Sequence, residues 1–249
     1  MDEKWSFVYK KQAHCDEEDA DDHTKGDCWD HVAFDSEHRL VLGVVFGKRS
    51  GTRILKLMRR VREQLEGRIP RLVTSDEYKA YQTVLDLIWN EPDRPRPSGQ
   101  GKPRPPKKLG KRKQLNYATV CKKREKGRVV SVETKIVFGT KQSVARALAQ
   151  SSVSTAINTS FLERHNGTDR HRNARKARRT YRFSKDWDIH AAVGYFSYYN
   201  YNFCWCVRTL AIARKDGPKQ QRTPAMAAGL TDHVWSLIEW LSYPVANST

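Results

Sequence analysis

A chain of 249 residues with 46 lysines and arginines against 28 aspartates and glutamates, formally +18, can bury a core of its own and is suited to a polyanionic partner. An aromatic content of 10% excludes wholesale disorder. No run of about 18 apolar residues suggests a transmembrane helix, and the acidic start Met1-Asp2-Glu3 lacks the apolar core of a signal peptide.

In chain order, KWSFVYK reads as a first strand, and CWDHVAFD, SEHR and LVLGVVFGKR read as a hairpin. Between them HCDEEDADDHTKGD is an acidic loop. Gly51-Thr52 opens a helix whose Ile54, Leu55, Leu57, Met58, Val61 and Leu65 share one broad face, and Gly67 and Pro70 end it. RLVTSD (71–76) is a short buried strand, and EYKAYQTVLDLI (77–88) is a helix. Residues 91–114 hold six of the ten prolines with lysines and arginines between them, the composition of an extended, solvated basic insertion. Strands return at LNYATV and RVVSVETKIVFG, joined by a basic turn, CKKREKGR. KQSVARALAQS (141–151) and Ser160 to about Arg172 are helices, 186–210 is an aromatic-rich helix, and TPAMAAGL and DHVWSLIEWL are short helices that pack back onto the core. This β-β-β-α-β-α order predicts an α/β fold with an RNase H-like mixed sheet flanked by helices. On that reading residues 1–212 form the catalytic domain and 213–249 a helical tail.

Three acids occupy telling places. Asp2 lies on the first strand. Asp76 ends the fourth, where open α/β sheets place ligands. Glu163 lies on a late helix able to pack on the sheet. Three oxygen-rich side chains suit Mg²⁺, with Mn²⁺ as a substitute. Two such ions about 3.5–4 Å apart can activate a nucleophile and stabilise a leaving oxygen on phosphorus. Asn166 and Arg170 share the helical face of Glu163. From Arg164 onward come Arg170, Arg172, Arg175, Lys176, Arg178, Arg179 and Arg182, eight basic residues in nineteen against one acid, Asp169. The carboxylate would hold metal, and this run, with Asn166, would hold the phosphate backbone beside it. Segment 94–128, with fourteen lysines or arginines, is a second candidate for DNA contact.

Each feature also has a plainer reading. Asp2 and Glu3 point to opposite faces of a strand, so at most one is a ligand. Asp76 could cap the helix that follows it, and Glu163 could pair with Arg164 or Arg170 at the surface. His14, Cys15, His23, Cys28 and His31 match no standard zinc spacing. Cys204 and Cys206 suit apolar packing, and the aromatics from Tyr195 to Trp205 suit a core better than base stacking. The run 164–182 is basic all round, which argues against a membrane surface. Five cysteines, an odd count in a chain too long to need staples, point to a reducing, cytoplasmic setting.

DEKWSFV, SDEYKAY around Asp76, FLERHN around Glu163 and RFSKDWDIHAAVGYFSYYNY make the chain resemble DDE transposases of the insertion sequence 1 family over roughly residues 1–210. The Glu-Arg-x-Asn element with its arginine run is the most specific part. The resemblance implies an RNase H-like catalytic domain with Asp2, Asp76 and Glu163 as metal ligands. It implies metal-dependent cutting of element ends and joining of the 3′-hydroxyl to target DNA, by a homo-oligomer on DNA in the bacterial nucleoid. It also implies a sequence-reading head encoded in an upstream, overlapping frame, since phosphate contacts alone carry no sequence information. A structure-specific nuclease of the same fold and a non-catalytic basic DNA-binding derivative are the alternatives. The insertion at 91–114 and the acidic loop depart from the family pattern, and the tail has no assigned role.

Overall fold

The computed structural model describes residues 1–90, 115–214 and 217–244, and the 91–114 insertion lies outside them. The fold is mixed α/β, with two three-stranded sheets and seven α-helices among the described residues. The chain divides into two compact units, one of Met1 with Ser50–Thr159, the other of Asp2–Arg49 with Ser160–Thr249.

In the second unit, β1 (Asp2–Val8), β2 (Gly26–Asp35) and β3 (Leu40–Gly47) form an antiparallel sheet in that order. The register sets Lys4 opposite Asp30 and Trp5 opposite Trp29. One face of the sheet carries Val8, Cys28, Val32, Val44 and Phe46, which pack with Leu162 of α4 (Ser160–Arg172) and Tyr198 and Tyr201 of α5 (Trp187–Cys204). Gly194 is required for this approach, because a Cβ there would run into the Phe46 ring. Tyr198 and Tyr201 of α5, with Tyr195 and Tyr199 packed against this cluster, thus supply core as their pattern predicts, whereas Phe196 and Trp205 are exposed. That helix stops at Cys204, short of the expected 210, and a separate 3-10 turn covers Arg208–Leu210.

The acidic loop is more ordered than its composition suggests. Asp22, buried, pairs with Lys10 at 2.5 Å and Lys25 at 3.0 Å and accepts the Asp16 amide at 2.8 Å. The tail folds back onto α5 as expected: Phe196 meets Trp240 at 5.0 Å and Phe203 meets Trp235 at 4.7 Å. It holds α6 (Pro224–Ala227), capped by Thr223, and α7 (Leu237–Ser242), which has a Ser236–Glu239 capping box.

The first unit contains α1 (Gly51–Gln64), whose Ile54, Leu57, Met58 and Val61 are buried as the periodicity predicts. Strand β4 (Val73–Ser75) runs parallel to β5 (Tyr117–Glu125), and β5 pairs antiparallel with β6 (Arg128–Phe138). Helix α2 (Lys79–Leu85) starts two residues later than expected and ends in a wider turn, Asp86–Asn90. Helix α3 (Lys141–Ala149) is set by a capping box from Thr140 to Ser143. The expected basic turn CKKREKGR is instead mostly strand. The ladder continues to the Glu125–Arg128 pair, and only Lys126 and Gly127 turn. Both take positive φ, 46° and 81°, as a tight two-residue hairpin requires.

Candidate active site and nucleic-acid interface

Asp2, half-buried, begins β1, and Asn166 is buried on α4. The Asn166 amide Nδ2 donates to Asp2 Oδ2 at 2.8 Å. Glu163 lies three residues earlier on α4, so it shares the face of Asn166 one turn away, and it is exposed. Two segments far apart in the chain, the head of β1 and the turn of α4 that bears Glu163, are thus joined through Asn166. That assigns Asn166 to a neighbouring carboxylate instead of to a phosphate, a correction to its expected role. A carboxylate held in place by an amide donor offers an oxygen of the kind a hard cation takes. Within its own unit, Glu163 shares no group of three metal-ligating side chains with atoms within 4.8 Å of one another among the described residues.

Asp76 belongs to the other unit and follows β4 directly. Its Oδ1 accepts the Tyr78 amide at 3.2 Å. Helix α2 begins only at Lys79, with Tyr78 at its N-cap position, so Asp76 builds a turn ahead of the helix and is not its cap. The preceding Ser75, fully buried, is fixed by its Oγ contacts with the Tyr117 hydroxyl and the Asp76 carbonyl, both at 2.7 Å.

Beneath Asp2 lies a charge network that the sequence does not announce. Lys4 and Lys176 are each 2% exposed, Asp30 is 0% and Asp169 is 3%. Lys176 Nζ sits 2.6 Å from Asp30 Oδ2, Lys4 Nζ sits 3.2 Å from the same oxygen, and Lys4 also donates to Asp169. The Tyr198 hydroxyl donates to Asp30 at 2.9 Å, and Ser197 Oγ donates to Asp169 at 2.7 Å. Burial by itself would raise the Asp30 carboxyl, but Lys176 and Lys4 outweigh it and hold that carboxyl well below the usual range. Asp169 is lowered in the same way, against its burial, by Lys4 and Lys176. Two ammonium groups and two carboxylates therefore compensate one another between β1, β2, α4 and the turn at Ala174–Lys176. This joins α4 firmly to the strand that carries Asp2.

The network also corrects the reading of the basic run. Lys176, expected on DNA, is instead enclosed by Asp30, by Phe46 at 4.6 Å and by Tyr198 at 5.2 Å. Arg170 is half-buried and spends its guanidinium on two backbone carbonyls, Trp5 and Lys176, both at 3.1 Å. Arg172 lies over the Trp205 ring at 4.0 Å and donates to Asn200 at 3.4 Å. Arg175 is half-buried, whereas Arg164, Arg178, Arg179 and Arg182 are exposed.

The described residues include groups of metal-ligating side chains, and one lies wholly in the second unit: Cys28, Asp30 and His190. Its chemistry is that of a core. Burial, then Asp30, pushes the Cys28 thiol up to about 12. Burial, then Lys176, lowers His190 to about 4. The His190 ring nitrogens already meet Ser184 Oγ at 2.7 Å and Ser6 Oγ at 3.2 Å. With two ammonium groups on Asp30, the set offers a cation no net negative charge. His165 is also buried and lowered to about 4 by that burial. Its ring lies 5.0 Å from Phe34 and 4.5 Å from Tyr201, and neither nitrogen has a hydrogen-bond partner.

No helix among the described residues is long and apolar enough to cross a membrane. No family model, curated protein or solved structure gives a significant match to the chain.

Proposed function

We propose that the chain is a DDE-type DNA transposase with an RNase H-like fold, in which Asp2, Asp76 and Glu163 are the metal-ligating carboxylates. The observation that carries the proposal is the Asn166–Asp2 hydrogen bond, which ties the head of β1 to the α4 turn bearing Glu163. The exposed arginines that follow α4 give the same unit a surface for DNA. The order of the strands and the motifs around the three acids agree with the resemblance to the insertion sequence 1 family.

Bound Mg²⁺ or Mn²⁺, one ion or two, would supply the activation of water or a 3′-hydroxyl and the stabilisation of the leaving oxygen. The chain's own residues do the rest. Asn166 fixes the Asp2 carboxylate, and the buried Lys4–Asp169 pair fixes α4 against β1. Arg178, Arg179 and Arg182 attract and hold the phosphates. Work on element ends is expected to involve a homo-oligomer and an upstream-encoded head that reads their sequence.

The test is strand cleavage and joining on DNA taken from either side of the reading frame, in Mg²⁺ or Mn²⁺. Asp76→Ala and Glu163→Ala should abolish both reactions while DNA binding survives. Activity that persists in chelator, with both variants still active, overturns the proposal. Cleavage without any joining would favour the nuclease.

A further inference from the structure

We propose that Tyr181 is a stacking platform for an unpaired DNA base, with Arg178, Arg179 and Arg182 holding the phosphates around it. The inference rests on the DNA-binding part of the reading above and not on its chemistry. Tyr181 is 97% exposed, whereas Tyr198 and Tyr201 of the same unit are buried. One exposed tyrosine is ordinary surface. What distinguishes this one is its setting.

The segment that carries it is held in place. The Arg182 amide donates to Thr180 Oγ1 at 3.0 Å. Ser184 bridges Val8 in parallel and accepts the Tyr9 amide at 2.7 Å, so the chain after Tyr181 runs along the edge of β1. Phe183 packs on Phe7, ring to ring at 5.1 Å. Arg179 takes a left-handed φ of 54°, which a non-glycine residue adopts only where its surroundings demand it.

Cations already sit on rings along this edge. Lys185 Nζ lies 3.3 Å from the Phe183 centroid and 5.7 Å from that of Tyr9, and Lys25 lies 5.0 Å from Tyr9. Tyr9 is itself 52% exposed. Exposed rings among cations are what single-stranded nucleic acid uses: the ring takes the face of a base and the cations take the backbone. The interior of a duplex offers no free base face. The ligand is therefore a strand with an unpaired base, such as an overhang or a frayed end.

Binding of the full chain to a blunt duplex, to the same duplex with a 3′ overhang and to the overhang strand alone tests this, read by anisotropy at one ionic strength. An overhang containing 2-aminopurine reports stacking by its quenching. Tyr181→Ala should weaken the overhang and single-strand complexes about tenfold, as expected for the removal of one stack. It should leave blunt-duplex binding unchanged and remove the quenching. Tyr181→Phe should keep both affinity and quenching. An Ala variant that binds like the parent, or that weakens equally on all the DNAs, overturns the stacking role while DNA binding stands. A parent chain that binds none of them overturns the DNA reading, and this inference with it. Because Tyr181 is almost wholly exposed, its replacement leaves the core intact.

Discussion

The basic run has one composition and two environments, seen by comparing Arg170 and Lys176 before Ala177 with the arginines after it. Before it, Arg170 is tied to the Trp5 and Lys176 carbonyls, and Lys176 is sealed against Asp30. After it, Arg178, Arg179 and Arg182 are exposed. What separates the two stretches is the partner that folding supplies. Upstream, an acid or a carbonyl waits inside the unit for Lys176 and Arg170, although Arg164 and Arg172 stay exposed; downstream, the chain leaves its cations to solvent. Counting positive charges therefore overstates the cationic surface open to solvent, and part of an apparent binding motif belongs to the fold.

The largest effect should come from removing the acid that holds the inner stretch. Asp30→Ala leaves Lys4 and Lys176 buried without their shared carboxylate and should cost about 3–5 kcal/mol. Arg179→Ala should cost less than about 0.5 kcal/mol, the usual range for an exposed site. Urea unfolding of both variants measures the contrast, and equal stabilities would erase the distinction drawn at Ala177.

Salt dependence probes the outer stretch. Replacing Arg178, Arg179 and Arg182 together by Gln should reduce the slope of log K against log salt by about 0.9 for every phosphate these side chains neutralise. Arg170→Gln should lower stability and leave the slope alone. If Arg170 moves the slope as much as its outer neighbours do, it faces DNA as well.

A smaller effect concerns acid. His165 is lowered to about 4 in the folded chain, from an ordinary value near 6.5. Between those values the unfolded chain binds a proton that the folded chain refuses, so stability rises with pH across this window. Above about pH 6.5 the penalty is absent, and it grows as pH falls toward 4. His190 behaves alike. His165→Phe removes one of the two groups without breaking a hydrogen bond, because the ring nitrogens make none. Its stability should therefore depend less steeply on pH between about 6.5 and 4.5 in denaturant melts. An unchanged dependence would assign the acid sensitivity to His190.

Local signals are legible in the sequence, and their limits are physical. Helix α4 runs from Ser160 to Arg172 as its pattern predicts, and α1 buries the face its spacing defines. The Lys126-Gly127 turn escapes a reading by composition because a basic stretch looks like loop, although glycine in a two-residue turn is the available clue. The Lys4–Asp30–Asp169–Lys176 set is not readable, because its members come from distant segments and each resembles a solvated charge. On β1 the pattern even misleads. Trp5 and Phe7 share one face, half-exposed, while Lys4, Ser6 and Val8 on the other are buried. The motifs single out Asp2, Asp76 and Glu163, but only the structure shows what holds Asp2, an asparagine whose place in the basic run suggests a phosphate contact instead.

Two lysines sealed from water also make the second unit a clock. Acylating reagents attack an accessible, neutral amine. Lys185, on the surface, can react at once, whereas Lys4 and Lys176 must wait until strand and helix part. Their modification rate in native conditions then counts openings of the unit, in the way that slow amide exchange does. Mass analysis of the peptides that contain them would time the opening of the joint between β1 and α4 without any variant, and bound DNA should slow the clock if it clamps that joint shut.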